Sequence, residues 1–488
     1  MSSDTLPPPE NAPVILWFRN DLRLQDNLAL LAASASGRPV IPLYILEDDA
    51  SSDVRLGPAQ LWWLHHSLEA LEASLLRHGP CLILRRGSEA EVLDAMIAET
   101  GATAIYWNRH FAPSRIASDE DLVAGLRARG LSVELFDGQL LHDPSQLRSK
   151  SGSPFRVYTP FWRTFSAGVG PRPAFSAPDS IRRCDLDIAS DSLADWALTP
   201  TAPNWAAGLR ERWTPGETGA QARLADFLAT GAAGYREKRD FPGTESTSRL
   251  SPYLAFGEIT PFQIWQAIEE AVNVNAGDRQ KFLQELCWRE FSYHLLVNFP
   301  DMRDKNLNAS FDAFPWTGDT AALDAWTLGE TGYPIVDAGM RELWQTGWMH
   351  NRVRMIVGSF LVKHLLVDWR HGERWFADTL VDRDPASNVA SWQWIAGCGA
   401  DAAPYFRIFN PMLQGQKFDP DGAYVRRYVP ELADLSSEHI HQPWTAPPHE
   451  LRRAGVVLGK SYPCPIVDHR MARDRALNAY QEMKRTAA

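Results

Sequence analysis

The sequence predicts a doubly wound α/β domain followed by a larger all-helical domain, and three observations support it. Short β-branched apolar runs alternate with helical patterns up to about residue 141, and helical spacing alone governs the chain from about residue 219. The tryptophans divide unevenly: of 19, only Trp17, Trp62, Trp63 and Trp107 precede residue 150. A chain of 488 residues also exceeds the size at which one core keeps growing.

The first 13 residues, MSSDTLPPPENAP, carry acids and prolines where a signal peptide needs a basic patch and an apolar run, and read as a disordered tail. Five strands follow over residues 14–142: VILWFR, PVIPLYIL, CLILRR, AIYWNR and SVELFDG. Between them lie the helical patterns NLALLAAS, LWWLHHSLEALEASLLRHG, EAEVLDAMIAE and DEDLVAGLRARG. Strands interleaved this way form a parallel sheet covered on both faces through right-handed crossovers. No GxGxxG or GxxxxGK[ST] follows a strand, so the usual cradle for a dinucleotide or triphosphate is missing there. Residues 143–212, rich in Pro, Ser, Gly and Asp, read as an interdomain connector laid over the surface. Over 213–488, apolar residues at i, i+3 and i+4 predict helices in ARLADFLA, FQIWQAIEEAV, FLQELCWREFSYHLLV, AGMRELWQTGWMHNRVRMIVGSFLVKHLL and ERWFADTL.

Bulk properties narrow the function. A net charge of -11 argues against a partner held mainly through phosphates, so any nucleic-acid role rests on a local patch. The five cysteines stand apart without a CxxC pair, which speaks against a metal or disulfide framework and fits a reducing cytoplasm. The most apolar stretch, MIVGSFLVKHLLVDW, is broken by Lys363, His364 and Asp368, short of the roughly 20 residues a membrane span requires. Without sustained heptads, a monomer with no obligate protein partner is expected.

Four segments concentrate chemistry. In FLQELCWREF, Phe282, Glu285, Trp288 and Arg289 share roughly one helical face; alone this is more readily a half-buried helix with a Glu–Arg pair. In WMHNRVRMIVGSF, Asn351, Arg354 and Met355 lie at i, i+3 and i+4, with Arg352 on a neighbouring face. LVDRDPASNVASWQW brings Asp382, Asp384, Asn388, Trp392 and Trp394 into a polar turn. In GYREKRDFPGTESTSRLSPYL, the hydroxyls of Ser246, Thr247, Ser248 and Ser251 precede a helix beginning near Pro252, where an anion or an ordinary cap would fit equally well.

Together these segments resemble the photolyase/cryptochrome family, most closely the bacterial class I cyclobutane-dimer photolyases. The resemblance rests on WFRNDLRLQDN, YTPFWRTF, RDFPGTESTSRLSPYL, ELCWREF, TGYPIVDAGMRELWQTGWMHNRVRMIV and WQWIAGCGADAAPYFRIFNP, in that order. It implies FAD inside the helical domain. Tyr235, Thr247, Ser248, Arg249, Leu250 and Ser251 would stand at its phosphates and ribityl chain, with Phe282 and Arg289 also in its site. Arg354 and Asp382 would pair beside the flavin ring, a geometry that bidentate contacts favour, with Asp384 lining the ring and Asn388 facing flavin N5. The resemblance implies a lesion cavity walled by Trp288 and Trp394, with Glu285, Asn351 and Met355 at its floor and side. Glu285 would then hydrogen-bond the lesion as a neutral acid with its pKa raised by burial. Trp392, Trp369 and Trp316 match a chain carrying electrons inward to the flavin. Arg239, Arg352, Arg407, Arg426 and Arg427 are the available DNA phosphate contacts.

The implied activity is light-driven splitting of a flipped-out cyclobutane pyrimidine dimer in DNA by reduced FAD. The alternative is a cryptochrome-type light sensor without repair activity. Repair of the pyrimidine-pyrimidone adduct is disfavoured, because relatives with that activity carry His where Met355 stands. A second antenna chromophore is compatible with the first domain. Folate is disfavoured, since FAPSRIAS offers Ser114 and Arg115 where folate binders tend to carry an Asn–Glu pair.

Overall fold

Val14–Phe18 is buried along its whole length, as an apolar run without alternation must be when both faces of its sheet are covered. In the computed structural model, which describes residues 11–47, 54–168 and 170–486, this run is β1. It pairs in parallel with β2 (Val40–Leu46) and β4 (Ala104–Asn108); β3 (Ile83–Arg86) and β5 (Ser132–Phe136) form the edges. The order β3-β2-β1-β4-β5 is the expected doubly wound sheet. The crossovers are α1 (Leu28–Ala35), α2 (Pro58–His78), α3 (Glu89–Thr100) and α4 (Pro113–Ala128).

Strand order reverses between β1 and β4, and the crevice at their carboxyl ends is where an open α/β sheet ordinarily takes a ligand. Here WFRNDLRLQDN fills it. Arg19 forks onto both oxygens of Asp119 at 2.8 and 3.0 Å, and Asn108 Nδ2 donates to Asp21 Oδ2 at 2.6 Å and Asn27 Oδ1 at 2.8 Å. The same motif binds the helical domain: Asn20 Nδ2 donates to the Ala255 carbonyl at 3.0 Å, and Arg23 Nη1 to that of Gly257 at 2.8 Å.

Beyond residue 200 the described structure is helical, and its main core gathers Phe291, Trp326, Val357, Leu361, Trp369 and Trp392. Among the described residues no helix is long and apolar enough to cross a membrane.

Four local readings are corrected. The tail prediction falls mostly on residues outside those described, but Arg38 fastens its end, donating to the carbonyls of Ala12 at 2.6 Å and Pro13 at 3.0 Å. The connector is not confined to the surface. Its helix α5 (Tyr158–Gly168) buries Tyr158, Phe161 and Phe165 in the helical core, because aromatic spacing within YTPFWRTF outweighs the polar flanks. The long pattern from Ala338 to Leu366 is not one helix. It breaks into Pro334–Thr346, Asn351–Ser359 and a π-turn at Phe360–His364, because Gly347 ends the first helix at φ 65° and His350 caps the second. The polar turn around Asn388 is a helix, Pro385–Ala396, begun by Asp384 as cap and by a proline in its first turn.

Candidate active site

Tyr235 opens a short helix, Tyr235–Lys238, and is buried edge-on to Phe282 at 5.3 Å; Phe282 in turn lies 4.8 Å from Phe227. Thr247 to Leu250 form the turn into the helix Ser251–Ala255. That helix has five residues, too few for a strong macrodipole, and its cap residue Leu250 makes no side-chain cap bond. Side chains must do the work instead. Ser248 Oγ accepts from Leu250 N at 3.5 Å, and Arg249 is held at φ 53°, a conformation costly for a non-glycine residue.

Trp348, to which the sequence reading assigned no role, joins this turn to the next group. Its indole N–H donates to Ser251 Oγ at 3.2 Å, and its ring lies 5.1 Å from the guanidinium of Arg249 and 5.9 Å from that of Arg354. Arg354 pairs with Asp382 at 2.7 Å, as expected, but through one nitrogen: its Nε is taken by the Met349 carbonyl at 2.7 Å. The bidentate expectation is therefore corrected, and Asp382 Oδ1 is buried without a partner.

Other buried atoms nearby share that condition. Thr247 Oγ1, His350 Nε2 and the Nε atoms of Arg239, Arg249 and Arg352 make no hydrogen bond. Each such group costs about 1–3 kcal/mol if nothing pairs with it. A hydroxyl, the Arg249 guanidinium, an imidazole nitrogen and a carboxylate oxygen suit a ligand combining anionic phosphates with a donor- and acceptor-bearing ring, so Thr247, Arg249, His350 and Asp382 fit FAD. Burial lowers the pKa of His350 to about 4, leaving it a neutral imidazole. Below it Glu342, raised to about 7 by burial, accepts from Tyr424 Oη at 2.7 Å and His350 N at 3.2 Å.

The remaining flavin-site candidates are occupied by protein partners. Asp384 accepts from Ser387 N at 2.7 Å and Tyr293 Oη at 2.8 Å. Arg289 donates to the Gln139 carbonyl at 2.8 Å, at the junction with the first domain. Asn388 gives its amide N–H groups to Glu373, at 3.1 Å to the carbonyl and 2.8 Å to the carboxylate, and so presents its oxygen as an acceptor.

On the lesion side, Trp288 is half-buried and lies flat against Tyr158, with centroids 3.8 Å apart at 9°. Trp394 is half-buried against the helical core, and its carbonyl accepts from Ala403 N at 3.2 Å. Asn351 is exposed, and Met355 Sδ lies 3.7 Å from Arg352 Nη1. Glu285 ion-pairs with Arg239 and, at 2.7 Å, with Lys281. It stands here as a paired carboxylate, and donating a proton to a lesion requires it to leave both cations.

Most of the candidate phosphate contacts are engaged within the protein. Arg352 pairs with Asp240 at 2.8 Å and Arg427 with Glu245 at 3.7 Å, while Arg426 donates to the Ala433 carbonyl; Arg407 is exposed. The three tryptophans of the expected electron chain occupy one core. Trp392 faces Phe376 at 5.0 Å, Trp369 donates to Asn306 Oδ1 at 3.0 Å, and Trp316 lies 4.3 Å from Phe314. Gly372 is needed there, since any Cβ would collide with the Trp392 ring.

The doubly wound domain is thus joined to a helical domain whose unpaired buried polar atoms fit a flavin nucleotide. Family profiles agree: one described as DNA photolyase matches residues 14–179, and one described as the FAD binding domain of DNA photolyase matches residues 282–482. The chain belongs to the photolyase/cryptochrome family and is a DNA photolyase with FAD as its cofactor. It is 56% identical over 478 residues to the deoxyribodipyrimidine photo-lyase of Agrobacterium fabrum, spanning 98% of this chain and 99% of that one. The crystal structure of a bacterial class III photolyase from Agrobacterium tumefaciens superposes with a TM-score of 0.95 at 55% identity, covering 99% of this chain and 100% of that one. The fold extends to a cryptochrome from Synechocystis, with a TM-score of 0.85 at 31% identity over 96% of this chain and 99% of that one.

The class I expectation is thereby overturned in favour of likeness to class III. The motifs carrying the resemblance lie in segments shared across the photolyase/cryptochrome fold, which the Synechocystis cryptochrome also adopts, and so do not separate classes. The departure at Ser114 and Arg115 lies in the first turn of α4. Arg115 is locked between Glu47, at 2.5 Å, and Glu89.

Proposed function

We propose that this DNA photolyase repairs cyclobutane pyrimidine dimers, and that the flipped dimer stacks on the exposed portion of Trp288 within reach of Trp394 and Met355. The supporting observation is the half-buried Trp288, fixed on one face at the rim of the same domain that holds the unsatisfied polar cradle. A dimer leaving the duplex loses stacking, and an indole returns roughly 1–3 kcal/mol per base. FAD, held by the residues named below, would supply light-driven one-electron chemistry with no net redox change.

The chain's own residues bind and orient. Thr247, Ser248, Arg249, Leu250 and Ser251 hold the phosphates and ribityl chain, beside Tyr235, Phe282 and Arg289. The Arg354–Asp382 pair and Asp384 flank the ring, and Asn388 offers its amide oxygen there. Glu285 and Asn351 border the lesion, with Glu285 exchanging its cations for the lesion edge. Arg239, Arg352, Arg407, Arg426 and Arg427 take DNA phosphates, several by giving up internal carboxylates. Trp392, Trp369 and Trp316 carry electrons inward. In this reading residues 14–142 serve as an antenna-type domain, 143–212 as connector and 213–488 as the flavin and DNA domain of a cytoplasmic monomer.

The test is repair of a thymine dimer in an oligonucleotide by the reduced protein, under blue light and in darkness. Repair confined to the light supports the proposal. A photoreducible protein that leaves the dimer intact would favour the sensor reading instead.

A further inference from the structure

The connector helix α5 places Tyr158 against the proposed lesion wall, and this residue makes an unusual set of contacts. Its ring lies parallel to that of Trp288, with centroids 3.8 Å apart. Its hydroxyl donates to the carbonyl of Gln284 at 2.5 Å, immediately before Glu285. Its backbone N–H donates to Asp401 Oδ2 at 3.1 Å, within the loop that follows Trp394. Phe291 stands edge-on to both stacked rings at 5.7 Å. Tyr158 therefore touches the stacking indole, the backbone beside Glu285 and the loop after Trp394.

From these contacts we infer that Tyr158 is a positioning residue for lesion recognition, backing Trp288 so that its other face is presented to the flipped base. An indole free to turn must be immobilised when a base stacks on it, and that ordering subtracts from affinity. An indole already flat against a fixed ring has been ordered during folding. The buried phenol, its pKa pushed further up by desolvation, stays protonated and keeps its bond to Gln284. The connector thus takes part in recognising the substrate as well as joining two domains.

The inference rests on the stacking role proposed for Trp288, and the test separates the two. KM and kcat for a dimer-containing oligonucleotide, with affinity for undamaged DNA, are compared in Y158L, Y158F, W288A and the double variant Y158L/W288A. Y158L is expected to raise KM about tenfold, with kcat under saturating light and undamaged-DNA affinity unchanged. Y158F, which keeps the ring, should change KM less than about threefold. The double variant should lose no more than W288A alone, because both substitutions remove one interaction. Wild-type KM in Y158L, or additive losses in the double variant, would overturn the inference. A W288A protein with wild-type KM would overturn the stacking reading and this inference together. Flavin absorbance and melting temperature identify a misfolded Y158L, in which case the volume-matched Y158M is put to the same comparison.

Discussion

The two regions of this molecule that could receive a cofactor differ in how completely their buried polar atoms are paired. At the switch point of the sheet, Asp21, Asn27, Asn108 and Asp119 all have partners, and the unpaired buried atoms among the described residues are donors, the Nε atoms of Arg19 and Arg23 and the indole nitrogens of Trp17 and Trp107. In the helical domain an acceptor oxygen of Asp382, the hydroxyl of Thr247, Nε2 of His350 and the Nε atoms of Arg239, Arg249 and Arg352 are buried and unpaired among the described residues. A crevice that satisfies its own polar groups gains little from a ligand, whereas one that leaves them orphaned is completed by it. The fold alone points to the first site, and the hydrogen-bond inventory points to the second.

The largest expected effect comes from breaking the cradle's ion pair. Arg354→Ala leaves Asp382, 3% exposed, as a buried carboxylate without its cation, a change that costs about 3 kcal/mol or more. The variant should purify with little flavin and a lowered melting temperature; normal flavin content would detach this pair from the cofactor. Next, Trp288→Ala and Trp394→Ala should each weaken binding of dimer-containing DNA by roughly tenfold to a hundredfold, following the 1–3 kcal/mol of base stacking. Their flavin content should stay at the wild-type level, measured in the same preparations.

The two regions are joined by a buried acid, which sharpens the comparison through pH. Glu258 accepts from Trp63 Nε1 at 3.2 Å and from Gly216 N at 2.7 Å, with Ser67 as a further donor, yet burial raises its pKa from 4.5 to about 8. The folded state therefore holds this proton more tightly than the unfolded chain. Its contribution to stability is full below about pH 4.5 and is lost as pH rises through about 8. Wild-type protein should lose stability to urea between pH 6 and 9 (about 1 kcal/mol or more). Glu258→Gln, which cannot titrate, should lose the upper part of that slope and keep the part owed to Glu342, whose pKa is raised to about 7. The smallest effect belongs to Arg427→Ala. This arginine is half exposed and paired with Glu245, so DNA affinity should fall less than about threefold, with the salt dependence of binding reduced by at most one phosphate contact.

How far the sequence could be read differs between the same two regions. The five strands are legible because period-free apolar runs separated by helical patterns have one common solution, whereas handedness alone does not choose the order β3-β2-β1-β4-β5, which the structure supplies. The helix Pro385–Ala396 was misread because Asp384, Pro385 and Ser387 look like a turn when they are in fact a cap and a first helical turn. In the site, the motifs identified the chemistry and placed Arg354 opposite Asp382. They gave no sign that Met349 would claim Arg354 Nε, or that Arg239 and Lys281 would hold Glu285. Such partners come from distant segments, and periodicity carries no information about them. Trp348 and Tyr158 lay inside motifs already recognised, but only their stacking geometry gives them work to do.

The central claim is that the orphaned polar atoms of the helical domain, and not the sheet crevice, hold the flavin. The direct measurement is FAD content per protein, from visible absorbance, in Arg249→Met and Asn108→Leu variants that melt cooperatively. The account predicts flavin loss in Arg249→Met and retention in Asn108→Leu. Full flavin in Arg249→Met, with loss confined to Asn108→Leu, would contradict it.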